Sequence, residues 1–288
     1  MRRGLNSQAY TIVEVMIVLV VSSALLVSAL LFVGGQQRKT EFYQSIHDIE
    51  QQINDVMNNV STGYYAKTAK IDCDVSVTGE VVITEPATDN PQGSNQDCIF
   101  IGRAIQFGVS GSDGKGFNVY NLAGLRNKHG TDIPAQDFIE VKPKAIAKTL
   151  ATDLTTPDSS EKKTLKYGLS VTKMYYDGDT ANNTGIVAFI SNLKSYDTTN
   201  NKMISGSQTV SLYRLDTSSI LTQSSYDAVS IINTPTKIKE ANSVTICFAS
   251  GGTDQYGVIT IGGDNRQLST KLDIMSTAEA TTGSGPCI

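Results

Sequence analysis

The sequence predicts an α+β fold in which one long N-terminal helix packs on an antiparallel, β-rich globular domain. Three observations predict it: an apolar run near the N-terminus, a helical apolar stripe directly after it, and many short β-prone segments beyond position 63. The chain has 24 glycines and no tryptophan, and its many Ser, Thr and Asn residues are typical of a turn-rich β protein. We divide it into a leader (1–9), an apolar helical segment (10–35), an amphipathic helical segment (36–62) and a β-rich domain (63–288).

The apolar run extends from Val15 to Val33, with the sequence VMIVLVVSSALLVSALLFV. As a helix it would be about 28 Å long, close to the hydrocarbon thickness of a bilayer. Arg2 and Arg3 precede it and predict that the N-terminus stays on the cytoplasmic side. A secretory signal would have a shorter core followed by a small-residue cleavage site, whereas here only Gly34 and Gly35 follow before charge begins. We therefore expect a transmembrane segment.

A helical stripe follows the apolar run. Its apolar positions are spaced 4, 3, 4, 3 and 4 residues apart: Phe42, Ile46, Ile49, Ile53, Val56 and Val60. The stripe fits either a coiled-coil seam or a face packed on a domain. We favour packing on the chain's own β domain, because no comparable heptad partner occurs elsewhere. Together the two parts predict one helix of about fifty residues, on the order of 75 Å long, with Gly34–Gly35 as a point where it could bend.

Beyond position 63 the helical period disappears, and alternation with β-branched residues predicts strands. The candidate strands are Glu80–Thr84, Cys98–Val109, Tyr167–Tyr176, Gly185–Ser191, Gln208–Leu215, Ser243–Ala249, Tyr256–Ile261 and Arg266–Ile274. Polar segments 86–97, 110–116, 151–164, 177–184 and 194–207 are predicted loops. The clearest hairpin joins strands 243–249 and 256–261, with Val244, Ile246 and Phe248 on one face.

All four cysteines follow the apolar run: Cys73, Cys98, Cys247 and Cys287. An even number of cysteines beyond an export segment is consistent with two disulfides, and three pairings are possible. We favour Cys73–Cys98 and Cys247–Cys287, because each closes a local loop. Reduced buried thiols are the alternative, and a zinc site is disfavoured because the chain contains no CxxC pair.

Composition and motifs argue against an enzyme. The chain has 24 Lys and Arg against 28 Asp and Glu, so it lacks the basic surplus of a nucleic-acid binder. It has two histidines and no GxSxG motif, and the glycine-rich segment 111–116 lacks the spacing of a phosphate loop. The acidic and amide residues of 177–183 do not follow EF-hand spacing. We expect no catalytic residues, no cofactor and no metal.

One acidic residue, Glu14, stands at the head of the apolar run. An acid in the first turn of a helix complements the helix dipole, but a carboxylate this close to hydrocarbon also marks a candidate functional site. The segment Ala9–Glu14, AYTIVE, follows a short basic leader and precedes the apolar helix. This arrangement resembles the N-terminus of type IV prepilins.

The prepilin resemblance implies how this N-terminus is processed. In that family a prepilin peptidase cleaves before the apolar segment and methylates the new terminal amine. Here cleavage would fall between Ala9 and Tyr10, with N-methylation of Tyr10 and with Glu14 as the fifth residue, where the family carries its assembly glutamate. The family usually has Gly and Phe where Ala9 and Tyr10 stand, so we expect cleavage to occur, if more slowly. The amine and Glu14 would then pair between neighbouring subunits.

The C-terminal pattern, a strand, a turn and the segment 257–263 (GVITIGG) before Arg266, resembles the end of H-type pseudopilins and related minor pilins. Some of these bind DNA through an arginine-rich loop. Arg266 is the only arginine in the matching region, so no nucleic-acid partner is expected.

The two resemblances imply a minor pilin or pseudopilin subunit of a type IV pilus or a type II secretion-like filament. Its partners would be prepilin peptidase, other pilin subunits through the N-terminal helix, and the membrane. The protein would be a single-pass membrane protein with an extracellular C-terminal domain before it joins a surface filament. The main alternative is a permanently anchored extracellular β domain that acts as an adhesin or binds a ligand, and a weaker one is a membrane-tethered hydrolase.

Overall fold

The helix α1 (Ile12–Ser61) organises the chain. The computed structural model describes residues 11–63, 72–84, 98–108, 114–133, 135, 138–146, 161–179, 185–191, 196–197, 202–203, 210–215, 238–251, 253–262, 268–276 and 287. The 50 residues of α1 form one uninterrupted helix that passes through Gly34 and Gly35 without a break. A Cβ atom at either glycine would meet nothing within 4 Å, so no packing contact depends on them.

The rest of the described chain is mainly strands, with one short helix, α2 (Phe138–Val141). The strands are β1 (Asp72–Val75), β2 (Val81–Thr84), β3 (Cys98–Phe107), β4 (Gly116–Leu125), β5 (Lys144–Ile146), β6 (Glu161–Thr164), β7 (Leu169–Tyr176), β8 (Ile186–Ser191), β9 (Tyr196–Asp197), β10 (Lys202–Met203), β11 (Val210–Leu215), β12 (Ile238–Glu240), β13 (Ser243–Ser250), β14 (Gln255–Gly262) and β15 (Ser269–Ser276).

Two sheets make up most of the β domain. A seven-stranded sheet has the order β12-β11-β8-β3-β4-β5, and β6 pairs with β4 beside β5. A four-stranded sheet has the order β15-β14-β13-β7, and β1-β2 and β9-β10 form two small separate sheets. Every pairing is antiparallel. The predicted α+β class, one long helix with an antiparallel β-rich domain, is confirmed.

The apolar stripe of α1 lies in the main core, where it meets both large sheets. Every residue of the stripe is buried: Phe42, Ile46, Ile49, Ile53, Val56 and Val60. The two sheets also meet each other in this core, since the rings of Phe107 and Phe248 contact edge to face with centroids 6.2 Å apart. Gly257 lets α1 approach β14 closely, because a Cβ there would lie 2.6 Å from Ile46 Cδ1.

The seven-stranded sheet is buried on its other face as well. A second cluster, which includes Ile101, Tyr120 and Leu122, covers the face opposite α1. The polar side chains on this face bond one another: the Tyr120 hydroxyl donates to Gln106 Oε1 at 2.8 Å and accepts from Asn118 Nδ2 at 3.1 Å. These bonds offset the cost of burying the three polar groups.

Strand β4 was missed by the sequence analysis, although all ten of its residues are buried. Two asparagines and two glycines break its apolar pattern, and a strand buried on both faces gives no alternation to read. Gly124 is required there by a close approach, because a Cβ would lie 2.3 Å from Val141 Cγ1. Two predicted loops were also partly wrong, since 151–164 contains β6 and 194–207 contains β9 and β10.

The β13-β14 hairpin has the predicted strands, and Val244, Ile246 and Phe248 all face the main core. From the same β13, Cys247 forms a disulfide with Cys287, with Cα atoms 5.6 Å apart, which is one of the two favoured pairings. Cys98 is also disulfide-bonded. The side chain of Cys73 lies outside the part of the chain that the structure describes.

Replacing a stripe residue should destabilise the β domain strongly. Ile53 of α1 is completely buried against the sheets, so Ile53→Ala should lower the free energy of unfolding by about 2–5 kcal/mol. Gln51 is the control, because it is exposed two residues earlier on the same helix. Gln51→Ala should change the free energy of unfolding by less than about 0.5 kcal/mol. Denaturant unfolding of the full chain in detergent, followed by near-ultraviolet circular dichroism, measures both. Equal effects would contradict the burial of the stripe.

Loss of the Cys247–Cys287 bridge should also lower stability. The bridge spans 40 residues, and closing a loop of that length restricts the unfolded chain by about 4 kcal/mol. Cys287→Ser should therefore move the denaturant midpoint well below that of the wild type in the same unfolding measurement. An unchanged midpoint would show that the bridge does not constrain the unfolded chain.

Candidate functional site

The first half of α1 has no cover. Every described residue from 11 to 40 is exposed, including Leu31 at 76% and Phe32 at 71%. An unbroken apolar surface of this size is not stable in water. By length and composition this helix is able to cross a membrane once.

Two of the three serine hydroxyl groups within the apolar half are satisfied by the helix itself. Ser23 Oγ donates to the Val20 carbonyl and Ser28 Oγ donates to the Leu25 carbonyl, each at 2.9 Å. Such bonds let serine lie in an apolar helix without exposing an unpaired polar group. These two serines therefore do not prevent the segment from lying in hydrocarbon.

Within the described residues, no hydrogen bond or ion pair to the Glu14 carboxylate is formed. Glu14 is the only charged side chain between Arg3 and Arg38, and it is exposed in the first turn of α1. Its backbone N–H donates to Thr11 Oγ1 at 3.3 Å, which makes Thr11 the N-cap of the helix. Thr11 and Glu14 have the Thr-x-x-Glu spacing of a capping box, and the described contacts show its threonine half, the bond from the Glu14 backbone to Thr11.

The predicted cleavage and methylation positions, Ala9 and Tyr10, lie outside the described residues. The described helix begins at Ile12, two residues after Tyr10.

A cleft of about 470 Å³ opens at the base of the β domain, where α1 enters it. Arg38 and Glu41 line it from the helix, and Lys115, Tyr167, Ser170 and Ser250 line it from the sheets and turns. The sequence analysis did not find this cleft. The one available signal was Arg38, which is the first charge after the apolar run.

Burial raises the pKa of two tyrosines elsewhere in the β domain. Burial raises the pKa of Tyr176 well above its usual value, and its hydroxyl donates to the Ile186 carbonyl. Burial, with a smaller contribution from Glu240 on the neighbouring strand, raises the pKa of Tyr213 to about 12. Both hydroxyls therefore keep their protons at neutral pH.

One acidic group of the β domain, Asp177, is committed to local hydrogen bonds. Asp177 Oδ1 accepts the backbone N–H groups of Asn242 and Ser243 at 2.8 and 3.0 Å. Within the described residues, no group of three or more His, Cys, Asp or Glu side chains could hold a metal ion.

No family model, curated protein or solved structure matches the chain. Residues 9–14 and the apolar helix after them therefore carry the prepilin resemblance without support from a relative.

Glu80 should titrate below its ordinary pKa of 4.5, mainly because Lys142 Nζ donates to its Oε1 at 3.2 Å. Lys144 Nζ lies 3.6 Å from Oε2 and adds a weaker effect. This ion pair stabilises the fold above pH 4.5 and is lost as the pH falls through the lower folded-state pKa. Carboxyl NMR should show that Lys142→Ala moves the Glu80 midpoint toward 4.5 more than Lys144→Ala does. Equal shifts would contradict the assigned hydrogen bond.

Proposed function

We propose that this chain is a minor pilin or pseudopilin subunit. Prepilin peptidase would cleave between Ala9 and Tyr10 and methylate the Tyr10 amine. The apolar helix would hold the subunit in the membrane with its β domain outside, and would then join a type IV pilus or a type II secretion-like filament. The function is structural: the subunit assembles into a filament and catalyses no reaction.

The observation that carries this proposal is the isolation of Glu14. A carboxylate among apolar side chains is costly unless an opposite charge accompanies it. When helices pack side by side in a filament, the Tyr10 amine of one subunit would supply that charge to Glu14 of another. Because each mismatch leaves a buried unpaired charge, the pair would fix the axial offset between subunits, as buried polar residues fix register in coiled coils.

The continuous helix supports the same proposal. Glu14 and Phe42 are 28 residues apart on one unbroken helix, a distance of about 42 Å. Since Phe42 and the rest of the stripe are buried in the β domain, an offset fixed at Glu14 would also set the height of the β domain in a filament.

Chain length favours a minor role. Cleavage after Ala9 would leave 279 of the 288 residues, which is large for an abundant repeating subunit. A few copies at one place in the filament, such as its tip, would accommodate a β domain of this size.

Two measurements on native cells test the proposal. Mass spectrometry of the mature protein should find methylated Tyr10 at the N-terminus. The variant Glu14→Gln keeps the size of the side chain and removes the charge, so it should be processed normally but recovered with sheared filaments at least tenfold less often. Ser23→Ala is the control, because that hydroxyl bonds only within its own helix turn among the described contacts.

Normal filament incorporation of Glu14→Gln would contradict the assembly role of Glu14. An intact Met1 terminus on a protein that never co-purifies with filaments would instead support a permanently anchored β domain that acts as an adhesin or binds a ligand.

A further inference from the structure

The cleft at the base of the β domain lies at a defined height above the apolar segment. Arg38 follows Val33, the last residue of the apolar run, by five residues, which is about 7.5 Å along the helix. The polar headgroup layer of a bilayer is about 5–7 Å thick on each side of the hydrocarbon. With residues 15–33 in hydrocarbon, the Arg38 backbone therefore lies at the outer edge of the headgroup layer, and its long side chain can reach a lipid phosphate from there.

The charges in the cleft favour an anion. Arg38 and Lys115 contribute two cations, and Glu41 contributes one carboxylate, so the lining carries one net positive charge. Glu41 Oε1 accepts the Gln37 side-chain amide at 2.8 Å. Across the described residues, no carboxylate forms an ion pair with Arg38 or Lys115. Both cations remain available to a phosphate monoanion, which is the ligand that arginine and lysine bind best.

A strained turn places an aromatic side chain at the same cleft. Tyr167 has a left-handed backbone with φ 51°, and Gly168 follows with φ 70°. The turn is held to α1, because Ser45 Oγ donates to the Lys166 carbonyl at 3.0 Å. Tyr167 is 52% exposed. Its left-handed backbone conformation is unfavourable for an aromatic residue.

We propose that this cleft binds the phosphate of an anionic phospholipid headgroup in the membrane leaflet next to the β domain. Arg38 and Lys115 hold the phosphate, and Tyr167 forms the wall of the cleft on the side of the β domain. The bound lipid keeps the base of the β domain on the membrane surface before assembly. The inference rests on the membrane-spanning part of the proposed function, and it does not require cleavage or filament formation.

Native mass spectrometry of the purified full chain in detergent micelles tests the cleft, with dioleoyl-phosphatidylglycerol and dioleoyl-phosphatidylcholine added in separate arms. We expect one phosphatidylglycerol to be retained per chain and phosphatidylcholine to be retained less. Arg38→Gln and Lys115→Gln should each reduce retention about fivefold, since one basic residue near an anionic lipid surface is worth about 1 kcal/mol. Both side chains are exposed, so these variants should fold normally.

Lys39→Gln is the matched control, because Lys39 lies at the same depth but does not line the cleft. Equal losses from Lys39→Gln and Arg38→Gln would overturn the proposal, because they would show general attraction to charge. Equal retention of the two lipids would also overturn it. A third arm adds inorganic phosphate, and displacement of the lipid by millimolar phosphate would show a free-anion site instead. A negative result here leaves the filament test with Glu14→Gln unaffected.

Discussion

The structure depends on a single helix that must satisfy two environments at once. The first half of α1 exposes mainly apolar surface; Glu14 and three serines are the exceptions, and Ser23 and Ser28 bond to their own helix. The second half buries its stripe in the main core, where Ile46 and Ile53 are completely inaccessible. Because one backbone joins both halves without a break at Gly34–Gly35, the apolar segment cannot move along its axis without moving the β domain.

The β domain is built so that α1 is part of its core. Both sheets direct apolar faces at the helix, and Gly257 permits an approach to Ile46 that any side chain would prevent. The seven-stranded sheet buries its second face as well, and the bonded group of Gln106, Asn118 and Tyr120 lies there. Removing α1 would therefore expose one face of each sheet, so the β domain and the second half of the helix form one folding unit.

The sequence contained the signals for some elements and lacked them for others. The stripe of α1 was predictable, because one buried face against one exposed face produces a clear period. The β13-β14 hairpin was predictable although β13 is buried on both faces, because Val244, Ile246 and Phe248 alternate with Thr245 and Cys247. Strand β4 was not, because two asparagines and two glycines interrupt its apolar residues. The cleft was not predictable either, since Arg38, Lys115 and Tyr167 are far apart in sequence and only the packing of α1 against the sheets brings them together. Glu14 was predictable as a candidate because charge is so rare around it.

Glu14 and Arg38 stand 24 residues apart on α1, which is about 36 Å. This length exceeds a hydrocarbon layer of about 30 Å by only a few ångströms, so in a bilayer both charges reach a polar interface. Neither charge is then costly, which makes Glu14 compatible with stable residence in a membrane. The free-energy cost of an unpaired Glu14 carboxylate would arise when the subunit is extracted from the membrane, because neighbouring helices then replace lipid headgroups around Glu14 and water is excluded. Under the proposed function, the Glu14 carboxylate therefore distinguishes a neighbouring helix that supplies a positive charge from one that does not, at the moment of assembly. A lipid held at Arg38 must be released at the same step.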